Sequence, residues 1–376
     1  MFSAILAIVR KDLLLIIRKP MFSIISLIVP LLFIIFYGLV IHTSSTNPIV
    51  IANHSEGPYT ERFVDILQEI KSVDGSYLEI ITLDSELAYE KYNNRQVDAL
   101  LVIPESFEEN LHAGKQAALK LKVFNINSDG TKNYQLRIDH ALYEFHKNLN
   151  GDSFISINED MTFIQDTPMK SYVSTGLLIF SVLLTSMVST GTLMAREWEE
   201  RTAKLIVLTP KGFLPLIVGK WMTALLVTVA NTVLVLPLLY ILLGYLIGQM
   251  NTLVWFYLLL FFFYGSAAGV LLGVLFKKTL PIVPISIVIA MSEFLVSSLE
   301  SYIRGFAHGG MTEWLWRLGS WWPSSEIIDR IRFTVEDLEQ IAINWGASFY
   351  MALWVGLLLT IALFKLNKQL SFTQGQ

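Results

Sequence analysis

Six long apolar stretches are the feature that most constrains what this chain can fold into. They cover residues 22–41, 172–195, 216–243, 253–276, 280–299 and 345–364. A helix needs about 20 apolar residues to cross the hydrocarbon layer of a bilayer, and each stretch is long enough. Charged residues make up only 16% of the chain, below the ~25% that is usual in soluble domains. The pattern predicts an α-helical polytopic membrane protein with six transmembrane helices, one at 22–41 and five within 172–364.

Residues 1–21 precede the first apolar stretch and alternate apolar positions with four basic residues. They lack the small-residue cleavage site of a signal peptide, and a full span follows them. We therefore expect an interfacial helix that lies on the cytoplasmic membrane surface. The alternative is a simple extension of the first span towards the N-terminus.

Lys and Arg in the short segments between the spans indicate the orientation, because these residues are enriched on the cytoplasmic side. With the N-terminus inside, the inside segments contain 13 of them and the short outside segments contain four. Both termini, including the tail 365–376, are therefore expected in the cytoplasm. The segment 42–171 is expected outside, since long domains translocate largely regardless of their charge.

The segment 42–171 differs in composition from the rest of the chain. Between residues 43 and 170 there are 20 acidic and 11 basic residues, whereas the remainder has 12 and 17. Strand-like runs alternate with helical patterns here, with Asp84 as the expected N-cap of the second helix. The strands are predicted at 48–52, 78–83, 98–103 and 119–126, and the helices at 59–71, 86–94, 106–113 and 131–149. This alternation predicts an inserted extracytoplasmic α/β domain, for which substrate capture, partner docking and a rigid cap are all open roles.

Several enzyme chemistries are disfavoured because their motifs are missing. No G-x-x-x-x-G-K-[ST] phosphate-binding loop occurs, so the chain is not expected to hydrolyse ATP by that route. The six histidines include no pair at i, i+4 spacing and there is no cysteine, which argues against a metal site. G-S-A-A-G at 265–269 lacks the spacing of a nucleophile motif and is expected to allow close helix packing. A membrane machine of this composition needs energy from a partner protein or a coupling ion.

Four motifs occur in order along the chain. The first is R-K-D at 10–12 with R-K-P at 18–20, before a span that contains Pro30. The second is V-D-A-L-L-V-I-P-E-S-F at 97–107, in the inserted domain. The third is R-E-W-E-E-R-T at 196–202, followed by an apolar run, T-P at 209–210 and G-K at 219–220. The fourth is W-P-S-S-E-I-I-D-R-I-R at 322–332, before the last span.

Together these motifs resemble the type-2 ATP-binding-cassette (ABC) transporter permease family, whose members carry a large extracytoplasmic domain after the first span. The third motif is similar to the family's R-E-x-E-R-G-T signature. It departs from that signature where Glu200 and Arg201 replace arginine and glycine. The resemblance implies a transmembrane permease subunit of an ATP-driven exporter. It also implies the plasma membrane of a prokaryote, which is the inner membrane in a Gram-negative cell.

The same resemblance implies the partners and cofactors. Two permease subunits, identical or paralogous, would associate with two separate ABC ATPase subunits. ATP and Mg would be bound by those ATPase subunits, and no cofactor by this chain, which would not itself be an enzyme. A periplasmic adaptor protein is a further partner that the resemblance allows, and no nucleic acid is expected.

The cytoplasmic coupling segment 196–216 would dock on the ATPase. Its apolar run beside charged residues independently suits a helix pressed on a partner, and the alternative is a positively charged anchor without one. The candidate docking residues are Arg196, Glu197, Glu199, Arg201, Leu205, Ile206, Leu208 and Pro210.

Glu293 lies inside the fifth apolar stretch. A charge at the bilayer centre costs ~2.5–3.5 kcal/mol on insertion scales, so this carboxylate should face the interior of the helix bundle. It either lines the transport pathway or a subunit interface, or serves a structural role. The amphipathic outer segment 300–344 contains four tryptophans and is expected to form short helices, broken at Gly309-Gly310 and at Pro323. These tryptophans would anchor the segment at the membrane interface or line an exit path.

Two other function classes are compatible with the composition. One is a non-transport membrane receptor or docking protein that acts through its extracytoplasmic domain. The other is an ion-coupled secondary transporter. The two halves of the chain show no matching pair of broken hydrophobic segments, which argues against the secondary transporter.

Overall fold

The computed structural model describes residues 2–44, 47–72, 75–94, 96–97, 99–123, 129–150, 169–202, 213–303, 310–335 and 342–371. The chain divides into two compact units. The first, here called the helical unit, comprises Met1–Leu39 and Phe163–Gln376. The second, the inserted unit, comprises Val40–Thr162.

Most of the described residues lie in helices, and these include the candidate membrane spans. In chain order they are α1 Phe2–Arg18, α2 Met21–Ser44, α3 Pro58–Glu69, α4 Ser85–Asn93, α5 Ser106–His112, α6 Asp129–Asn150, α7 Met169–Glu199, α8 Leu214–Leu243, α9 Thr252–Phe276, α10 Ile282–Ile303, α11 Gly310–Ser320, α12 Ser325–Val335 and α13 Trp345–Ser371. Five are long and apolar enough to cross a membrane: α2, α7, α8, α9 and α13. The apolar part of α10 within the described residues, Ile282–Val296, is shorter. The predicted class, an α-helical polytopic membrane protein, is confirmed, and a sixth crossing by α10 stays a prediction.

Helix α1 is separate from α2 because the chain turns at Lys19 and Pro20. Proline has no backbone N–H and disfavours helical geometry in the residue before it. Helix α1 packs against α8. Gly219 of α8 makes this close contact possible, since a Cβ atom there would lie 2.7 Å from Cγ2 of Ile8. The N-terminal helix is therefore attached to the helical unit along one side.

Helix α7 is the centre of the helical unit. Apart from Tyr172, every residue from 171 to 197 is buried. The helix packs closely on α9, where three glycines recur every four residues at 265, 269 and 273. A Cβ atom on Gly269 would lie 2.5 Å from the carbonyl oxygen of Met187 and 3.0 Å from the backbone nitrogen of Gly191. The expected close helix packing through small residues is confirmed.

The inserted unit is built on a four-stranded sheet with the strand order β4-β1-β5-β6. Its strands are β1 Asn47–Asn53, β4 Leu78–Thr82, β5 Ala99–Ile103 and β6 Lys120–Val123. Strands β4, β1 and β5 run parallel, and β6 is antiparallel to β5. A short antiparallel pair, β2 Lys71–Ser72 and β3 Gly75–Ser76, was not predicted from the sequence.

Helices cover this sheet and complete the predicted α/β arrangement. Phe63 of α3 and Phe145 of α6 are buried in the larger core, with their ring centroids 5.5 Å apart. Helix α3 begins where the carboxylate of Glu108 accepts hydrogen bonds from two backbone N–H groups, each at 3.1 Å. Asp84 caps α4 by accepting from the backbone nitrogen of Leu87 at 2.8 Å, so the predicted N-cap is confirmed.

The segment 300–344 contains two short helices, α11 and α12, separated by a turn that includes Pro323. Helix α11 begins at Gly310, whose φ of +66° favours glycine. Helix α12 is fixed to α7 through Arg332, whose guanidinium lies 3.5 Å from the ring centroid of Tyr172. Arg332 also donates to Asp329 at 2.8 Å. The expected break at Pro323 is confirmed, whereas the one expected at Gly309-Gly310 falls at residues 304–309, which lie outside the described residues together with 336–341.

Candidate functional site

The third sequence motif begins at the C-terminal end of α7, where Glu197 meets residues from two other helices. Lys220, near the start of α8, donates from Nζ to Oε1 of Glu197 at 2.5 Å. Lys11 of α1 donates to the same oxygen at 2.6 Å. Lys220 also donates to Asp12 of α1 at 3.0 Å. We call these four residues the Lys220 cluster, and it joins α1, α7 and α8 at one point.

The cluster is buried and contains two acids and two bases. The side chains of Lys220, Asp12 and Glu197 are 1%, 0% and 4% exposed, whereas that of Lys11 is 43% exposed. Burial raises the pKa of the Asp12 carboxyl above its ordinary value, and the neighbouring Lys220 and Lys11 oppose that rise. Buried charges are costly unless they are paired, so each member depends on the others. Moving α8 away from α1 and α7 would remove Lys220 from both buried carboxylates.

The local sequence explains how the cluster forms. Ile5, Val9 and Asp12 lie on the buried face of α1 at helical spacing. That face meets α8 beside Gly219, which lets the two backbones approach and brings Lys220 within reach of Asp12. Helix α8 starts with Pro215 in its first turn, a position that needs no backbone N–H donor.

Sequence reasoning identified Glu197 and missed its partners. Lys11 and Asp12 were noted only as part of an interfacial helix, and Lys220 only as half of a G-K pair. One available signal was the placement of Asp12 in line with the apolar residues Ile5 and Val9, where a solvated charge is not expected. The pairing with Lys220, 208 residues away, has no local signature.

Glu199, a second of the three acidic residues of the motif, is exposed, but its carboxylate also binds another part of the chain. The Glu199 carboxylate accepts from the backbone nitrogen of Thr279 at 2.8 Å and from its hydroxyl at 3.1 Å. Thr279 lies in the turn between α9 and α10. Thr202 donates its hydroxyl to Glu197, which closes the last turn after α7. Both carboxylates therefore fasten the end of α7 to neighbouring helices.

The two arginines of the motif differ in their surroundings. Arg196 is buried, with its guanidinium 5.8 Å from the ring centroid of Phe22 in α2. Arg201 is exposed and has a φ of +59°, in the left-handed region that favours glycine. The remaining candidate docking residues lie outside the described residues: Leu205, Ile206, Leu208 and Pro210. Among the described candidates, Glu197 contacts Lys11 and Lys220, Glu199 contacts Thr279, and Arg201 is exposed.

Glu293 forms a second polar site, on α10. Its carboxylate accepts from the Tyr264 hydroxyl at 2.6 Å, from Nε1 of Trp322 at 2.5 Å and from the Ser324 hydroxyl at 2.8 Å. The residue is only 2% exposed. Tyr264 belongs to α9, and the other two donors belong to the turn between α11 and α12. The carboxylate thus faces the bundle interior, as expected for a buried intramembrane acid, and holds three elements together.

Replacing Lys220 with methionine should destabilise the helical unit strongly. The variant Lys220→Met leaves Asp12 and Glu197 buried without their shared cation, and such a loss typically costs about 3–5 kcal/mol. The free energy of unfolding can be measured by SDS denaturation in mixed micelles. The exposed Lys278→Met serves as the matched control and should lie within about 0.5 kcal/mol of the parent.

Neutralising the three buried members of the cluster, and leaving the exposed Lys11 unchanged, separates lost charge pairing from lost side-chain packing. Lys220→Met combined with Asp12→Asn and Glu197→Gln should recover most of the stability, because no unpaired buried charge remains. Equal stability of Lys220→Met and Lys278→Met would contradict the cluster.

The Glu293 contacts predict energetic coupling between Glu293 and Tyr264. Hydrogen bonds to charged groups contribute about 1.5–3 kcal/mol. Tyr264→Phe should therefore cost at least ~1 kcal/mol more in the parent than in the Glu293→Gln background, as measured by a double-mutant cycle on unfolding free energy. Additive effects of the two substitutions would show that the Tyr264 hydroxyl does not bind this carboxylate in the membrane.

Comparison with known proteins agrees with these features. A family model described as ABC-2 family transporter protein matches residues 20–364. The match runs from the residue before α2 into α13 and includes all five helices that are long and apolar enough to span a membrane. No curated protein and no solved structure matches the chain significantly. The resemblance predicted from the four motifs is confirmed: the chain belongs to the ABC-2 transporter protein family, as a multi-pass membrane permease.

Proposed function

We propose that this permease is the transmembrane subunit of an ATP-driven exporter, which moves its substrate out of the cytoplasm with a separate ATPase subunit. The observation that carries the proposal is the Lys220 cluster. It ties the two helix ends that flank the coupling segment, those of α7 and α8, to each other and to α1. The sequence has no phosphate-binding loop of its own, which agrees with ATP hydrolysis by a separate subunit.

The coupling segment is suited to receive such a contact. Residues 203–212 lie between α7 and α8 in the sequence, and both flanks of this stretch contact other parts of the helical unit. Glu197 and Lys220 hold one flank to the other, and Glu199 fastens the end of α7 to Thr279. A push on the segment would therefore act on the buried α7 and on α8 together, because neither helix end can move without separating buried charges.

The proposed complex contains two permease copies, identical or paralogous, and two ATPase subunits that bind ATP and Mg. A periplasmic adaptor protein is a further partner consistent with this family. In the proposed orientation the N- and C-termini lie in the cytoplasm of a prokaryote and the inserted unit lies outside. The support is the distribution of Lys and Arg, with 13 in the segments assigned inside and four in the short segments assigned outside.

Single-cysteine labelling tests this orientation, since the native chain contains no cysteine. A membrane-impermeant maleimide should label Ser128→Cys, in the inserted unit, on intact cells. The matched variant Ser371→Cys, near the C-terminus, should react only after the inner membrane is permeabilised. Labelling of Ser128→Cys only after permeabilisation would refute the orientation.

Apolar residues in the coupling segment should dominate the contact with the ATPase. Exposed salt bridges contribute only ~0–1 kcal/mol, whereas buried apolar anchors carry most of the energy at typical interfaces. Changing Leu205, Ile206 and Leu208 together to serine should abolish co-purification with the proposed ATPase subunit. It should also abolish substrate-stimulated ATP hydrolysis in reconstituted membranes. The exposed Arg201→Gln is the control and should weaken coupling only in part.

Two outcomes would count against the proposal at different levels. Normal co-purification of the triple serine variant would place the docking site elsewhere on the permease. Failure of the parent protein to capture any ATPase would favour the alternative, a receptor or docking protein that acts through the inserted unit.

A further inference from the structure

Arg196 is a buried cation for which the described residues offer no acidic partner. The residue is 9% exposed, and its Nη1 atom makes no hydrogen bond to any described part of the chain. Its recorded contact is with an aromatic ring, that of Phe22, which cannot neutralise its charge. Buried polar groups in native proteins are nearly always satisfied, so an unpartnered guanidinium calls for a ligand.

The acids nearest to Arg196 in the sequence are already occupied or point elsewhere. Glu197 binds Lys11 and Lys220, Glu199 binds Thr279, and the exposed Glu200 makes no ion pair with Arg196 among the described residues. The adjoining segment 203–212 reads A-K-L-I-V-L-T-P-K-G, which contains two lysines and no acidic residue. Residues 203–212 therefore add positive charge to this end of α7 and contain no acid that could pair with Arg196.

The level of Arg196 in the bundle points to a lipid. It follows directly after Ala195, which is fully buried, at the end of the apolar part of α7. Phe22 is the second residue of α2, so both residues mark the level at which apolar helices meet the phosphates of the bilayer. Further basic residues lie at the same ends of the helices: Arg18, Lys19, Arg201, Lys277 and Lys278. Clusters of Lys and Arg next to transmembrane helices attract anionic lipids.

We propose that Arg196 binds the phosphate of an anionic phospholipid, between the N-terminal end of α2 and the C-terminal end of α7. Arginine suits this role because its planar guanidinium donates two parallel hydrogen bonds to a phosphate. A carboxylate of the ATPase is the other possible anion, but a docked protein would meet the exposed Arg201 before the buried Arg196. The proposal requires only that α2 and α7 span the membrane, and it does not depend on ATP-driven transport.

Lipid retention by the purified full-length chain tests the proposal. The protein is extracted into detergent, offered equal amounts of phosphatidylglycerol and phosphatidylcholine, and examined by native mass spectrometry. The parent should retain phosphatidylglycerol preferentially. Arg196→Gln should bind it about tenfold more weakly, as expected for the loss of one charge-assisted contact. Arg201→Gln, an exposed arginine of the same motif, should retain it like the parent.

Thermal stability gives a second readout. Added phosphatidylglycerol should raise the Tm of the parent and leave that of Arg196→Gln unchanged. If Arg196→Gln does not fold, Arg196→Lys replaces it. That variant keeps the charge but loses the planar fork, so it should show an intermediate retention of phosphatidylglycerol.

Three results would overturn the proposal. The first is phosphatidylglycerol retention by Arg196→Gln, or by Arg196→Lys where only that variant folds, equal to that of the parent. The second is equal stabilisation of the lipid-free parent by inorganic phosphate, which would indicate a site for a soluble anion. The third is loss of ATPase co-purification by Arg196→Gln with unchanged lipid retention, which would identify a protein carboxylate as the partner. The first two results would leave the exporter proposal untouched, because they measure binding and stability alone.

Discussion

The close contact between α7 and α9 is the constraint on which the rest of the helical unit depends. At Gly269 the two backbones approach so closely that even one methyl group would lie 2.5 Å from the carbonyl oxygen of Met187. With α7 enclosed in this way, its side chains cannot face lipid, and α8, α10 and α12 pack around it. The end of α7 then becomes the natural place for a polar junction, because Glu197 and Glu199 leave the apolar layer there. The position of the Lys220 cluster thus follows from the packing of the central helix.

The sequence predicted the elements of this fold much better than the contacts of its site. Long apolar stretches and the alternation of strands with helices are local patterns, so the helices and the inserted α/β unit could be predicted. Glu197 could be identified from a motif, but its pairing with Lys220 and Lys11 depends on helices that are distant in the sequence. Glu293 was expected to face the interior, yet its donors Trp322 and Ser324 come from a turn whose placement no local pattern indicates.

Arg201 shows how a departure from a family motif is tolerated. The family signature has glycine at this position, and the backbone of Arg201 adopts a φ of +59°. A side chain in this left-handed region costs about 1–2 kcal/mol, so the geometry that glycine would favour is kept despite the substitution. The tight turn is fastened on both sides, by Thr202 to Glu197 and by Glu199 to Thr279. These contacts compensate the strain, and the charged side chain gains an exposed position beside the coupling segment.

The two buried carboxylates differ in how readily their contacts could be exchanged during transport. Glu197 is held by two cations, and the side chain of Lys220 is only 1% exposed. Breaking the contacts of Glu197 with Lys11 and Lys220 would therefore leave buried charges with neither a partner nor water. Among the described residues, Glu293 accepts from three uncharged donors, one of which belongs to Trp322, itself 38% exposed. Water can replace such a donor at low cost. In the proposed orientation the ends of α7 and α8 that the Lys220 cluster joins, on the side of the ATPase, would therefore move together.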